Sequence, residues 1–92
     1  MLINFNVIGK FDDEIEDKKF SLDLDAREDV SNMKVHITLK YPNLETDSFN
    51  LYYNGLFLNP KSGKTLIQYK MKQNCTVELN NGSGCKCTLI WV

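Results

Sequence analysis

The chain has 92 residues, of which 42% are hydrophobic and 25% charged, with a formal net charge of −1 at pH 7. This length predicts one small domain with a single core, and the near-neutral charge gives no electrostatic basis for binding nucleic acid. No apolar run approaches the roughly 18 residues that cross a bilayer, so we expect no stable membrane insertion.

Two segments with alternating apolar and polar residues open the chain. Near the start, Ile3, Phe5 and Val7 alternate with polar residues, which predicts a half-buried strand. The segment FSLDLD (20–25) alternates in the same way. We interpret the segment between them, GKFDDEIEDKK (9–19), as a turn widened into a solvated loop that joins the two strands in a hairpin. Its five acids lie between Asp12 and Asp17, and we call it the acidic loop.

The spacing of apolar residues then changes to that of a helix. Val30, Met33 and Ile37 are three and four residues apart. Asp29 precedes them as a helix-capping residue, and Pro42 follows them as a stop. This pattern predicts a helix of about 11 residues whose apolar side faces the core.

The second half of the chain returns to short strands. FNLYYNGLFL (49–58) alternates up to Asn54-Gly55, a strong tight-turn pair, and then predicts a short return strand. TLIQYKM (65–71) predicts one helical turn that places Leu66, Tyr69 and Met71 inward, and CTVEL (75–79) predicts the last strand. One amphipathic helix must cover one mixed sheet, so the predicted fold class is an α+β roll with adjacent terminal strands at its centre.

Three segments resemble successive parts of ubiquitin: DVSNMKVHITLKYP, FNLYYNGLFL and KTLIQYKMKQNCTVEL. The family's order Thr-Leu, Tyr, Ile, Thr-Leu, Leu is resembled here by Thr65, Leu66, Tyr69, Met71, Thr76, Val77 and Leu79. The resemblance implies a ubiquitin-like β-grasp domain over residues 1–80, with four to five strands packed on one helix. Residues 81–92 are then a C-terminal tail. The resemblance also implies that the Tyr69 hydroxyl satisfies backbone groups of the adjoining loop.

Ubiquitin binds its partners through an aliphatic surface patch, and the resemblance indicates which residues of this chain occupy the matching positions. The matching positions here are Ile8, Tyr52, Glu78 and Asn80, of which only Ile8 is aliphatic. The change to polar and acidic residues implies that receptors of ubiquitin itself bind this chain weakly or not at all.

The residues of the return strand extend this surface. If Leu58 points into the core, Phe57 must point out of the sheet. An exposed aromatic side chain beside other large side chains is typical of a contact surface. The alternative is that the tail or the acidic loop covers it. We therefore predict a partner-binding patch, with the acidic loop at its rim, made of Ile8, Tyr52, Leu56 and Phe57.

No set of residues indicates catalysis, a metal or a cofactor. His36 is the only histidine, and we interpret it as a surface residue. Together with Cys75, Cys85 and Cys87 it does not make a convincing four-ligand zinc site. We interpret Cys75 as a small packed residue. A sparse, odd number of cysteines favours a reducing compartment, either cytoplasm or nucleus.

Four interpretations of the tail, residues 81–92, remain open. CTLIWV is rich in β-branched and aromatic residues, so it can fold back as an edge strand or against the sheet patch. The chain can be cut near Gly84 and become a covalent ubiquitin-like modifier, although the family's terminal diglycine is absent. Its apolar end can be the ligand of a strand-addition domain. Cys85 or Cys87 can be palmitoylated.

These observations lead to one expectation and one alternative. We expect a monomeric ubiquitin-like protein without enzymatic activity, which binds protein partners non-covalently through the sheet patch. The alternative is the precursor of a covalent modifier that is processed near Gly84.

Overall fold

The computed structural model describes residues 1–9, 11, 15 and 17–81. Within these residues, five strands form one mixed sheet that packs against one helix. The elements are β1 (Leu2–Ile8), β2 (Lys19–Asp23), α1 (Val30–Lys40), β3 (Asn50–Tyr53), β4 (Leu56–Phe57) and β5 (Cys75–Asn80). The strand order is β2-β1-β5-β3-β4. This architecture confirms the predicted ubiquitin-like β-grasp roll.

The two terminal strands pair in parallel near the centre of the sheet, as the sequence predicts. The pairing of β1 with β5 runs from Ile3 to Ile8, while the other three strand pairs are antiparallel. Phe5 of β1 lies opposite Val77 of β5, and both side chains are fully buried. The inward residues of both strands therefore form the floor of the hydrophobic core.

Helix α1 has the predicted start, apolar face and end. The Asp29 side chain accepts a hydrogen bond of 2.9 Å from the backbone N–H of Asn32, which satisfies one of the free amides of the first turn. Val30, Met33 and Ile37 are buried. Burial of each such side chain stabilises the fold by roughly 1.5–3 kcal/mol. The helix is therefore held against the sheet mainly by its apolar face.

One charged residue interrupts the buried face of α1. Lys34 is only 7% exposed, and its Nζ lies 4.8 Å from the centroid of the Phe49 ring. Burial lowers the pKa of the Lys34 ammonium, and the charge of Asp47 opposes this effect. The ring face and the nearby carboxylate thus partly replace the water that this cation has lost.

A tight turn joins β3 and β4, as the Asn54-Gly55 pair predicts. Both residues have positive φ, 52° for Asn54 and 80° for Gly55, a conformation that suits the twist of a two-residue hairpin. Beyond β4, Leu58 is buried and its backbone N–H donates a hydrogen bond of 2.8 Å to the Leu51 carbonyl. The predicted inward direction of Leu58 is therefore confirmed.

The segment before β5 has the predicted helical turn, but the partner of the Tyr69 hydroxyl differs from the prediction. Residues 66–70 form turns, with a hydrogen bond of 3.1 Å from the Tyr69 N–H to the Thr65 carbonyl. Leu66 and Met71 are buried, as expected. The Tyr69 hydroxyl lies 3.3 Å from the Oγ of Ser62, so its partner is a side chain in the loop and not the backbone group that the resemblance implies.

The acidic loop between β1 and β2 is more strongly attached than a solvated loop. Phe11 and Ile15 are both buried in the main core, and this corrects the sequence interpretation. Their spacing of four residues within an acidic segment was the available signal. The remaining acids of the loop lie outside the described residues, namely Asp12, Asp13, Glu14 and Glu16.

Tyr41, just after α1, connects this loop to the core. Its ring meets the ring of Phe20 edge-on, with centroids 5.0 Å apart. Its hydroxyl donates a hydrogen bond of 2.8 Å to Oδ2 of Asp17. Burial, together with this bond and the negative charge of Asp17, raises the pKa of the Tyr41 hydroxyl well above its usual value.

We predict that Ile15→Ala destabilises the fold by about 2 kcal/mol, because it removes a buried side chain from a loop that can relax only in part. Urea unfolding at neutral pH measures the change. The control is Lys18→Ala in the same loop, where the side chain is exposed, and we expect it to change the free energy of unfolding by less than about 0.5 kcal/mol. Equal values for the two variants would contradict an anchored loop.

We also predict a specific loss of stability at alkaline pH. Because the Tyr41 pKa is higher in the folded chain than the unfolded value of about 10, the hydroxyl favours folding below pH 10. This contribution decreases as pH rises above that value, since the unfolded chain then loses its proton first. Urea midpoints between about pH 8 and 11 should fall less steeply for Tyr41→Phe than for the natural chain; parallel curves would contradict the prediction.

Candidate partner-binding surface

The outer face of the sheet carries a row of side chains that crosses all five strands. Neighbouring members of this row are Cα partners in successive strand pairs, so the register places them side by side on one face. We call it the cross-sheet row, and from β4 to β2 it consists of Phe57, Tyr52, Glu78, Asn6 and Lys19.

An exposed aromatic pair forms one end of the cross-sheet row. The ring centroids of Tyr52 and Phe57 are 5.7 Å apart, and the ring planes are tilted by 54°. Phe57 is 44% exposed and Tyr52 is half-buried. Cross-strand aromatic contacts hold such side chains in place. The pair therefore presents a preformed apolar surface to solvent.

A carboxylate lies directly beside this pair. Glu78 is the Cα partner of Tyr52 across β3 and β5, and it is exposed. Side chains of directly opposed residues have Cβ atoms about 5 Å apart. No hydrogen bond or ion pair joins the Glu78 side chain to another residue in the described part of the chain. Its charge is thus available to a binding partner.

Ile8, the aliphatic member of the predicted patch, lies apart from the aromatic pair. It is exposed on the same face, but its partner on β5 is Asn80 and not Glu78. Two strand spacings and two residues along the strand separate it from Tyr52, which amounts to about 12 Å between Cα atoms. A partner would have to span β5 to contact both.

Leu56 lies on the other face of the sheet. It is 56% exposed, and its Cα partner is Tyr53, which packs against the core. Because successive strand residues point to opposite faces, Leu56 cannot share a surface with its neighbour Phe57. Of the four predicted patch residues, the structure brings together only Tyr52 and Phe57.

A polar depression continues the cross-sheet row towards β2. Its volume is about 440 Å³, and side chains of Asn6, Lys19 and Thr76 contribute to its lining. The Ser21 hydroxyl donates a hydrogen bond of 2.7 Å to Oδ1 of Asn4, and the Asn4 amide donates one of 3.1 Å to the Asn74 carbonyl. Hydrogen bonds therefore hold the side chains of the polar part of the outer face in place, whereas ring contacts do so at the aromatic end.

The other candidate residues lie away from this face. His36 is half-exposed, and its Nε2 lies 3.1 Å from Oε1 of Glu28. Cys75 is half-buried against the core. Among the described residues there is no cluster of three or more His, Cys, Asp and Glu side chains suited to a metal ion.

The predicted tail features lie outside the described residues. These are the Gly84 processing point and the thiols of Cys85 and Cys87, for which the sequence interpretations remain predictions. Strand β5 ends at Asn80, just before the predicted tail. In the part of the chain that is described, no helix has the length and apolar character needed to cross a membrane.

Comparison with known families agrees with the fold. The profile described as "Ubiquitin family" matches residues 10–81, more than three quarters of the chain. A search of curated proteins found no significant match. The matched range runs from the first loop to the end of β5, so it includes the helix and both strands that carry the aromatic pair. On the basis of the profile match and the β-grasp topology, the chain belongs to the ubiquitin family.

Proposed function

We propose that this protein is a non-covalent protein-interaction module, which binds protein partners through Tyr52 and Phe57 on the outer face of its sheet. The observation that supports the proposal is the exposed, mutually packed aromatic pair beside the polar residues of the cross-sheet row. Ubiquitin-like domains generally mediate protein interactions, and members of the family are typically not enzymes. In this proposal the protein has no catalytic activity of its own.

The composition of the surface suits such binding. Aromatic residues supply much of the binding energy at protein interfaces when they are enclosed by a polar rim that excludes water. Here Asn50 and Asn80 flank the aromatic pair in the next register position along the strands. Burial of one large aromatic side chain provides roughly 1.5–3 kcal/mol. Two such side chains are sufficient to make the pair the centre of an interface.

The proposal also covers the oligomeric state and the cellular location of the protein. We propose a monomer that acts in the cytoplasm, the nucleus or both. The proposed location is supported by the cysteine content. The chain has 3 cysteines, and such an odd, small number suits a reducing compartment.

We predict that the double variant Tyr52→Ala/Phe57→Ala loses at least about 10-fold in affinity for its partners, because it removes the central apolar contacts. Affinity capture from lysate with quantitative mass spectrometry compares it with the natural chain. The matched control is Leu56→Ala, which removes an exposed side chain from the same strand on the opposite face.

The control should capture the same partners as the natural chain. Both variants must retain the circular dichroism spectrum and the melting temperature of a folded domain. Unchanged capture by the double variant, or equal loss in Leu56→Ala, would exclude the proposed surface.

The competing function is that of a modifier precursor processed near Gly84, and it makes a different prediction. A non-covalent module keeps its full mass of 10.6 kDa after incubation in lysate with ATP. A modifier precursor is shortened to a glycine end and then forms higher-mass, thiol-sensitive adducts. Intact-mass spectrometry distinguishes the two, with Gly84→Asp as the variant that should block processing. A shortened product in the natural chain alone would overturn the non-covalent proposal.

A further inference from the structure

We propose that the partner segment bound by the cross-sheet row carries an arginine, whose guanidinium group stacks on Tyr52 and Phe57 and forms an ion pair with Glu78. This inference rests on the proposed function and defines the chemistry of the partner. It follows from the order of side chains that the register sets across β4, β3 and β5.

The charge of the surface favours a cationic group in the partner. Glu78 is exposed next to the aromatic pair, and it has no counter-ion in the described part of the chain. A partner that buries Tyr52 must also remove water from this neighbouring carboxylate. A buried carboxylate without a partner is costly. The partner therefore needs a hydrogen-bond donor with positive charge at this position.

The aromatic surface beside that charge favours arginine over lysine. Tyr52 occupies the middle position, with Phe57 on one side and Glu78 on the other. A cation above an aromatic ring is attracted to the ring face. Arginine combines this contact with planar stacking and with two parallel N–H donors for a carboxylate. Lysine offers one compact, strongly hydrated charge, so it fits the combined site less well.

The spacing of the site also suits an arginine side chain. Neighbouring strands are about 4.8 Å apart, so the backbone positions of Phe57 and Glu78 are separated by about 10 Å. A guanidinium group that lies over the central Tyr52 ring can therefore reach the carboxylate while its aliphatic stem contacts the aromatic pair. The two ring planes are tilted by 54°, so the aromatic pair does not form a flat stack.

The nearest cation of the cross-sheet row does not compete for this position. Lys19 is two strand spacings away from Glu78, or about 10 Å between backbone positions, and no ion pair joins their side chains. Its charge lies at the β2 end of the row, beyond Asn6. A bound segment that runs along the row thus meets an aromatic surface first, then a negative charge and finally a positive one.

Selection from a displayed library of random 12-residue peptides tests the inference with the full 92-residue chain as target. We expect the selected peptides to be enriched in arginine, and more strongly than in lysine. The target variant Glu78→Lys should lose this enrichment. The control Glu45→Lys makes the same charge change at an exposed residue outside the sheet, and it should keep the enrichment.

A selected peptide then provides a quantitative test. Replacing its arginine by lysine removes the planar stacking and the two parallel donors, and changing Glu78 to Gln in the protein removes the negative charge. Each change should weaken binding about 10-fold. The two changes together should weaken binding by less than the product of the separate effects, because they disrupt one interaction. Fully independent effects would overturn the assigned pairing.

The outcomes separate this inference from the proposed function. Peptides that require Tyr52 and Phe57 but show no preference for arginine would overturn the arginine site and leave the interaction surface in place. Equal enrichment of lysine and arginine would also overturn it, since stacking would then play no part. If the selection gives no peptide whose binding depends on Tyr52 and Phe57, both proposals fail.

Discussion

The parallel pairing of β1 with β5 is the constraint on which the rest of the structure depends. It brings the two most distant strands of the domain together, from Ile3 to Ile8, and places their inward residues in a shared core. Long-range pairing of this kind carries a large cost in chain entropy, which burial of the apolar face offsets. The same register sets Glu78 between Tyr52 and Asn6 on the opposite face, so the core and the candidate binding surface have one origin.

The loop after β1 is attached to the core by a few of its residues. Phe11 and Ile15 add to the core, and Asp17 accepts a hydrogen bond from Tyr41 next to the helix. Tyr41 in turn contacts Phe20 on β2. The described part of the loop is therefore attached on the helix side of the sheet. The aromatic pair lies on the other side, so the buried loop residues leave that surface uncovered.

Most of the fold was predictable because its signals are local. Alternation defines the strands, the spacing of Val30, Met33 and Ile37 defines the helix, and Asn54-Gly55 defines the hairpin turn. The candidate surface was predictable only in part. Alternation correctly predicts that Phe57 points outward. The predicted patch also included Leu56, but consecutive residues of a strand point to opposite faces of the sheet, so Leu56 and Phe57 cannot belong to one surface. Phe11 and Ile15 were missed, since acids surround them and one spacing of four residues is too short to define a period.

By itself, the sequence determined the fold class, the cap and apolar face of the helix, and membership in a family whose members share this architecture. These features depend on local propensity and on the period of apolar residues. Only the tertiary structure decided which outward residues are neighbours. Tyr52 and Glu78 are far apart in the chain, yet strand pairing makes them adjacent, whereas Phe57 and Leu56 are consecutive and face apart. The physical reason is that sheet neighbours are set by hydrogen-bond register between distant strands, and no local pattern encodes that register fully.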